Sequence, residues 1–177
     1  MTRDVSEVVI RRGEARDLPA LVEIDNYYIL ETPITFHTEA VSVASRTPWF
    51  EAFGSTGRYQ LFVAEHAGRV IGYAGTTRFR PKAAYGPSVE TTVYLAPDAR
   101  QRGTGGRLYE RLFAEIEGED IHRLLAGITL PNPASLALHA RMGFTEIGVF
   151  HEIGRKFDRY WDVVWLERAL RPGAERE

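Results

Sequence analysis

The segment Arg100-Gln101-Arg102-Gly103-Thr104-Gly105-Gly106 carries the residue types best suited to chemistry in this sequence. It follows the apolar run Val93-Tyr94-Leu95 and leads into a helical pattern that begins at Arg107. Glycines let the backbone turn tightly and approach a ligand closely, and the main-chain N–H groups at a helix start can converge on an anion. The segment therefore predicts a phosphate-binding turn whose arginines add positive charge. An ordinary strand-to-helix loop, with glycines for turn geometry, is the alternative.

The composition excludes several other kinds of chemistry. The chain has no cysteine, which removes disulfides, thiolate nucleophiles and cysteine-bound metals. Its five histidines are scattered, with no His-x-x-x-His pair, so we expect no metal. The net charge of -2 and the lack of a long basic run argue against nucleic-acid binding. No apolar stretch approaches the ~20 residues of a membrane span and no signal-peptide core is present, so we expect a cytoplasmic protein without a membrane partner.

Hydrophobic patterning places the glycine-rich segment within a series of strands and helices. The 177 residues are enough for a single domain, 1–177, with one substantial core. We predict strands at 8–12, 60–65, 70–77, 88–95, 121–130, 147–152 and 161–168. We predict helices at 18–29, 45–53, 107–117 and 134–142. The aromatic face of the second helix, Trp49, Phe50 and Phe53, is interpreted as core packing rather than as a ligand platform.

The order of these elements predicts a mixed α/β sheet. The first strands form antiparallel hairpins, and a parallel βαβ unit surrounds the glycine-rich turn. A doubly wound nucleotide-binding fold is excluded, because the turn follows about the fourth strand and because neither the dinucleotide spacing nor a Walker lysine is present.

Taken in order, these motifs resemble a known superfamily. The run from Arg100 to Gly105 fits the Arg/Gln-x-x-Gly-x-Gly/Ala signature of the GNAT superfamily of N-acetyltransferases. From roughly Val9 to Leu170, the chain is similar to the phosphinothricin and methionine sulfoximine acetyltransferase subfamily, and the stretches that carry the similarity are 26–28, 36–39, 89–95, 130–144 and 154–163. The resemblance implies a GNAT fold, which is a twisted and mostly antiparallel sheet of about six or seven strands with helices on both faces. Its central parallel βαβ unit would bind the coenzyme.

The resemblance also implies acetyl-coenzyme A as co-substrate. The main chain of Val93, Tyr94 and Leu95 would hydrogen-bond the pantetheine arm. The residues assigned to the pyrophosphate are Arg100, Gln101, Arg102, Gly103, Thr104, Gly105 and Gly106. Asn132 matches a further coenzyme contact, and Ser135, three residues on, is grouped with it. Parallel strands that splay apart leave main-chain groups in need of partners, and an amide-bearing pantetheine can supply them.

The resemblance assigns the general base to Glu90. An amine that attacks a thioester must lose a proton, directly or through water. Strand alternation places Glu90 on the same face as Thr92 and Tyr94. The negative charge that develops on the carbonyl oxygen needs an N–H donor, which we expect from the main chain near Val93 or Tyr94. An ordinary exposed strand glutamate is the alternative.

His139 takes the position at which many superfamily members carry a tyrosine proposed to protonate the departing thiolate. The resembling subfamily also has histidine there. A direct chemical role is therefore predicted for His139, with two alternatives: it orients the coenzyme, or it packs next to Leu138.

The resemblance implies that the substrate is recognised mainly by residues on loops. An amino-acid substrate needs a cation for its carboxylate, which cationic loops can provide. The residues predicted to bind substrate are Asn26, Arg80, Lys82, Tyr85 and Lys156. The sequence differs from the subfamily at Gly86-Pro87-Ser88, where relatives commonly carry Arg-Gly-Thr or Asp-Trp-Thr.

We therefore expect an acetyl-coenzyme A-dependent N-acetyltransferase that acts on a small amino-acid-like amine of the phosphinothricin or methionine sulfoximine type. The alternatives are acetylation of another small amine or of a protein N-terminus, and a non-catalytic acyl-coenzyme A sensor. The resemblance also implies a homodimer. The aromatic segment Tyr160-Trp161-Asp162-Val163-Val164-Trp165 fits an interface and a core strand equally well.

Overall fold

A computed structural model describes residues 7–99 and 103–171 of the chain. Its seven strands form one sheet in the order β1-β2-β3-β4-β5-β7-β6. The strands are β1 (Val9–Arg12), β2 (Leu61–His66), β3 (Arg69–Arg78), β4 (Ser88–Leu95), β5 (Arg123–Thr129), β6 (Thr145–Lys156) and β7 (Arg159–Ala169). The helices are α1 (Leu18–Glu31), α2 (Val43–Glu51), α3 (Thr104–Ile116) and α4 (Pro133–Arg141).

All neighbouring strands are antiparallel except the central pair, β4 and β5. The helix α3 connects β4 to β5, as a parallel connection requires. The β2–β3 hairpin turns through Ala67-Gly68 and the β6–β7 hairpin through Phe157-Asp158. All four residues have positive φ, which matches the twist of the strands that these turns join. The predicted mixed sheet with a central parallel βαβ unit is confirmed. The last two strands are longer than predicted, because their turn is confined to residues 157–158.

The sheet carries helices on both faces, as predicted. Alternation along β2 directs Phe62 towards α3, where it joins a core that includes Leu108 and Leu112. The neighbouring Val63 points the other way and packs with Leu21 of α1. Each face therefore has its own apolar core, and β2 contributes to both. Over the described part of the chain, no helix has the length and apolar character needed to cross a membrane.

The two parallel strands pair over only three positions. Ser88, Val89 and Glu90 of β4 face residues 123–125 of β5, and beyond this point the pairing stops. On its other side β4 remains paired with β3 as far as Leu95. The side chain of Thr91 donates a hydrogen bond to the Leu125 carbonyl oxygen at 3.1 Å, at the position where the strands part. A cleft therefore opens between the second halves of β4 and β5.

The helix α3 begins three residues earlier than predicted. Gly103 precedes it with φ of 84°, and Gly105 and Gly106 lie inside its first turn. A Cβ at Gly105 would lie 3.1 Å from the Leu138 side chain, and one at Gly106 would lie 2.9 Å from that of Arg141. The two glycines thus allow α3 to approach α4 closely. The preceding Arg100-Gln101-Arg102 lies outside the described residues.

The conformation of Gly103 predicts a stability difference between two glycine variants. Gly103→Ala places a Cβ on a left-handed residue, so we expect the free energy of unfolding to fall by about 1–2 kcal/mol. Urea denaturation measures this change. Gly118→Ala is the matched control, because its Cβ meets nothing within 4 Å and its φ is not positive. An equal loss in the two variants would contradict the backbone explanation.

Candidate active site

Two adjacent spaces open beside β4. The larger, which we call the cleft, has a volume of about 440 Å³ and lies between β4, β5 and α4. The smaller, which we call the side cavity, has a volume of about 230 Å³ and lies between α1, α2 and the β3–β4 pair. Five residues line both spaces: Tyr28, Thr35, Glu90, Thr92 and Tyr94. A molecule in the cleft and another in the side cavity would therefore meet at β4.

Glu90 lies at the point where the strands part. It pairs with Leu125 at the last rung of β4–β5 and stands opposite Thr77 on β3. Burial raises the pKa of its carboxyl, and the positive charge of Arg80 acts in the opposite direction. Its neighbours on the same face, Thr92 and Tyr94, follow the predicted alternation and line both spaces with it. Glu90 is thus a half-buried carboxylate that can accept a proton from a molecule in either space.

The main chain of β4 alternates in the direction of its hydrogen bonds. The N–H of Ala96 donates to the Ile71 carbonyl oxygen on the β3 side at 2.8 Å. The main-chain groups of Val93 and Leu95 are therefore directed to the opposite side, into the cleft. The Leu95 carbonyl accepts a hydrogen bond from the Tyr28 hydroxyl at 2.8 Å. By this alternation the amides that face the cleft belong to Val93 and Leu95, whereas Tyr94 contributes its side chain.

The side chain of Tyr94 forms part of the wall between the two spaces. Its ring packs against those of Tyr28 and Tyr73, with centroids 4.8 and 5.7 Å away. Burial raises the pKa of the Tyr94 hydroxyl, and a hydrogen bond with Thr35 opposes that shift. The hydroxyl therefore stays protonated and fixed in place.

His139 is buried beside the cleft, and the protein occupies both of its ring nitrogens. Its Nδ1 lies 2.8 Å from the Ser135 carbonyl oxygen, and its Nε2 lies 3.0 Å from the Tyr109 hydroxyl. A carbonyl can only accept, so Nδ1 carries the hydrogen and Nε2 accepts from Tyr109. Burial lowers the pKa of His139, and the bond to Ser135 acts in the opposite direction. A neutral ring with both nitrogens engaged favours the packing alternative for His139.

Six of the twelve residues predicted to hold the coenzyme line the cleft, and Arg100, Gln101 and Arg102 lie outside the described residues. The Asn132 side chain caps α4 by accepting from the Ser135 N–H at 3.2 Å. Thr104 and Gly106 are buried in the first turn of α3 and do not line the cleft, and Gly103 is exposed at the start of that helix. These six are Val93, Tyr94, Leu95, Gly105, Asn132 and Ser135, and the predicted catalytic residues Glu90 and His139 line the cleft with them.

Among the described residues that line the side cavity there is none of the five predicted to bind substrate. The Asn26 amide exchanges two hydrogen bonds with the main chain of Val41, at 2.9 and 2.8 Å. Lys156 is buried, and its ammonium donates to the Thr35 carbonyl oxygen at 2.7 Å. Residues Arg80, Lys82 and Tyr85 are exposed on the segment between β3 and β4.

The sequence reasoning missed a polar group in the lining of the side cavity. The Arg46 Nη2 lies 2.9 Å from the Asp25 carboxylate, and its guanidinium stacks on Trp49 at 3.7 Å from the ring centroid. The hydroxyl of the buried Tyr73 also donates to Asp25. Trp49 and Phe53 pack against the core as predicted, but they also line the side cavity. The i, i+3 spacing of Arg46 and Trp49 on α2 is the signal that could have revealed this group.

Comparison with known proteins agrees with this geometry. The acetyltransferase (GNAT) domain family matches residues 10–165. The chain belongs to the GNAT family. It is thus an acyltransferase by family, and the fold predicted from the resemblance is confirmed.

Proteins similar to this chain carry the names of the predicted subfamily. The chain is 49% identical over 167 residues to a phosphinothricin N-acetyltransferase of Streptomyces coelicolor, covering 93% of this chain and 98% of the relative. It is 32% identical over 163 residues to an L-methionine sulfoximine/L-methionine sulfone acetyltransferase of Pseudomonas aeruginosa, covering 92% and 95%. A solved phosphinothricin acetyltransferase from Sinorhizobium meliloti, in complex with acetyl-coenzyme A, has a TM-score of 0.88 and 31% identity, covering 96% of this chain and 92% of that one. The resemblance to this subfamily is confirmed.

The neutral state of His139 predicts how stability depends on pH. Its folded pKa lies below the ordinary value of 6.5, so the unfolded chain binds more protons and stability falls as pH drops below about 6.5. Replacing His139 with Gln should reduce that slope by at most about 1.4 kcal/mol per pH unit. Urea denaturation between about pH 5 and pH 8 measures the slope. The exposed His122→Gln is the control, and identical slopes for both variants would refute this assignment.

Proposed function

We propose that this protein transfers acetyl from acetyl-coenzyme A to the amino group of a small amino-acid-like substrate, of the phosphinothricin or methionine sulfoximine type. The observation that carries the proposal is the meeting of the cleft and the side cavity at Glu90. The names of the relatives support the class of acceptor.

The cleft fits the coenzyme in two respects. The main chain of Val93 and Leu95 is directed into it beyond the last β4–β5 rung, where amide groups of a pantetheine arm can pair with it. Gly105 lines it without a side chain, beside the start of α3, where main-chain N–H groups favour an anion. The segment Gln101 to Gly106 is proposed to hold the pyrophosphate, with Arg100 and Arg102 as cationic helpers. Acetyl-coenzyme A, when bound, supplies an acetyl thioester.

Glu90 is the proposed general base. An amine is largely protonated at neutral pH, and a carboxylate beside it can take that proton directly or through water. Burial raises the pKa of Glu90, which makes its carboxylate a stronger base, and the positive charge of Arg80 opposes that shift. The cleft-facing amide of Val93 is the proposed donor to the oxygen on which negative charge develops.

The side cavity is the proposed acceptor site. At about 230 Å³ it suits a small molecule better than a protein N-terminus. Thr77 and Thr92 offer hydroxyls along its floor, and Arg46 offers a guanidinium already held by Asp25. Arg80, whose charge acts on Glu90, is proposed to meet the carboxylate of the acceptor at the other end. The remaining predicted substrate residues Asn26, Lys82 and Tyr85 stay predictions, and Lys156 is considered below.

Removal of the base tests the proposal. Glu90→Gln should lower kcat/KM for the acceptor by about 10²-fold or more, because the side chain can no longer take a proton. The loss of activity towards low pH, which in the native protein follows protonation of Glu90, should disappear in the variant. Release of coenzyme A with a panel of amino-acid analogues measures both effects.

Two controls accompany this measurement. Calorimetry should give an affinity for acetyl-coenzyme A that Glu90→Gln leaves within about threefold, since the change is nearly isosteric. Glu110→Gln, at an exposed site on α3, should leave the rate unchanged. An unaltered rate in Glu90→Gln would remove Glu90 from its role, and coenzyme binding without turnover on any amine would favour the sensor alternative.

The proposal includes a homodimer formed through β6. This edge strand carries Ile147, Phe150 and Ile153, each more than half exposed. Such apolar side chains on a sheet edge favour pairing with a second copy. The segment Tyr160 to Trp165 supports the core-strand alternative instead, since Val163 and Val164 are buried in β7.

A charge on this strand should disrupt the dimer. Phe150→Glu is expected to reduce the mass measured by light scattering from that of two chains to that of one, because a carboxylate would be buried in the interface. Val9→Glu, on the opposite edge strand β1, is the matched control and should leave the mass of two chains. A single-chain mass for the unmodified protein would refute the dimer.

A further inference from the structure

The segment 32–42, which we call the roof segment, connects α1 to α2 and borders both spaces of the site. Ile34, Thr35 and Phe36 line the cleft, while Thr35, His37 and Val41 line the side cavity. The conformation of the roof segment therefore sets the shape of both spaces. Residues that hold this segment in place affect the site even where they do not contact a ligand.

The tip of the β6–β7 hairpin holds this segment through Lys156. The side chain is only 5% exposed, and its ammonium donates to the carbonyl oxygens of Thr35 at 2.7 Å and Tyr28 at 3.5 Å. Burial lowers the pKa of Lys156. Within the described residues, the ion pairs do not include Lys156. An ammonium buried on two carbonyls fixes the roof segment to the end of α1.

A second contact from the same strand holds Phe36. A Cβ at Gly154 would lie 2.1 Å from the Phe36 Cε2 atom and 2.3 Å from Cζ, so only glycine leaves room for the ring. On the same strand, a Cβ at Gly148 would meet nothing within 4 Å. The recess at Gly154 is therefore shaped for Phe36, and it lies two residues from Lys156.

The connection continues from the roof segment to the reacting strand. Thr35 is bound by Lys156 through its carbonyl and hydrogen-bonds the hydroxyl of Tyr94. Tyr94 lies on β4 on the same face as Glu90 and lines both spaces. A displacement of Thr35 would thus alter the wall between the spaces without any change to the proposed base.

We infer that Gly154 and Lys156 are positioning residues of the active site, which set the roof segment through Phe36 and Thr35. Lys156, predicted from the sequence as a substrate ligand, would then act on the acceptor through Thr35 and not by contact. The inference rests on the proposed function for its kinetic consequences, whereas the anchoring itself is a property of the fold.

A pair of glycine variants tests this inference. Gly154→Ala should displace Phe36 and lower kcat/KM for the acceptor by about 10-fold, since small misplacements of positioning groups cost rate steeply. Gly148→Ala should leave kcat/KM within about twofold of the unmodified protein. Light scattering should give the same oligomeric state for both variants, and thermal unfolding should show that both are fully folded at the temperature of the assay. Equal activity of the two would overturn the inference.

A double-mutant cycle separates positioning from a general effect on β6. In a Phe36→Ala background the ring is gone, so adding Gly154→Ala should change kcat/KM by less than about twofold. Additive losses would show that Gly154 acts by another route and would overturn the role of Phe36.

Lys156 is tested by a readout that does not need turnover. Lys156→Met removes the ammonium at similar length, and amide hydrogen exchange in residues 32–42 should become about 10-fold faster. Arg155→Met, at an exposed neighbour on the same strand, should leave that exchange unchanged. Unchanged exchange in Lys156→Met would overturn the anchoring. An unmodified protein without activity on any amine would instead refute the proposed function and leave the exchange result to decide the anchoring.

Discussion

The parting of β4 and β5 after a single short stretch of pairing is the constraint on which the site depends. Main-chain N–H and C=O groups away from water need partners, and a strand that loses its neighbour halfway must find others. Thr91 provides one for Leu125 and Tyr28 provides one for Leu95. The main-chain groups of Val93 are directed into the space that remains. The cleft is thus a consequence of interrupted pairing in an otherwise continuous sheet.

Burial acts in opposite directions on Glu90 and His139, which both line this cleft. It disfavours the charged form of each group, so it raises the pKa of Glu90 and lowers that of His139. The difference between them lies in their partners. The positive charge of Arg80 acts on Glu90. His139, by contrast, is hydrogen-bonded at Nδ1 to the Ser135 carbonyl and at Nε2 to the Tyr109 hydroxyl. The carboxylate is therefore open to a ligand, and the imidazole is committed to joining α3 to α4.

Several residues serve the core and the site together. Trp49 and Phe53 fill the core on the α1 side and also form the wall of the side cavity. Gly105 lines the cleft and also lets α3 approach Leu138 of α4. Because of this double use, the packing of the helices on the sheet determines much of the shape of the site, and the roof segment borders both spaces.

The local pattern of the sequence determined the strands, the mixed sheet and the face of β4 that carries Glu90, Thr92 and Tyr94. Side-chain alternation and turn chemistry are properties of a few consecutive residues, so they can be predicted without the rest of the chain. The glycine-rich segment likewise indicated a helix start. The start was misplaced by three residues, since the reason for Gly105 and Gly106 lies in contacts with α4.

Only the tertiary structure decided the partners of the polar side chains. Lys156 has the charge that a carboxylate ligand needs, yet it binds the carbonyl of Thr35, 121 residues earlier in the chain. Arg46 lies in a predicted helix that gave no indication of its partners, and the fold brings it to Asp25 and Trp49 in the lining of the side cavity. The type of a residue determines which kinds of partner its side chain can bind, whereas the packing of distant segments determines which partner lies beside it.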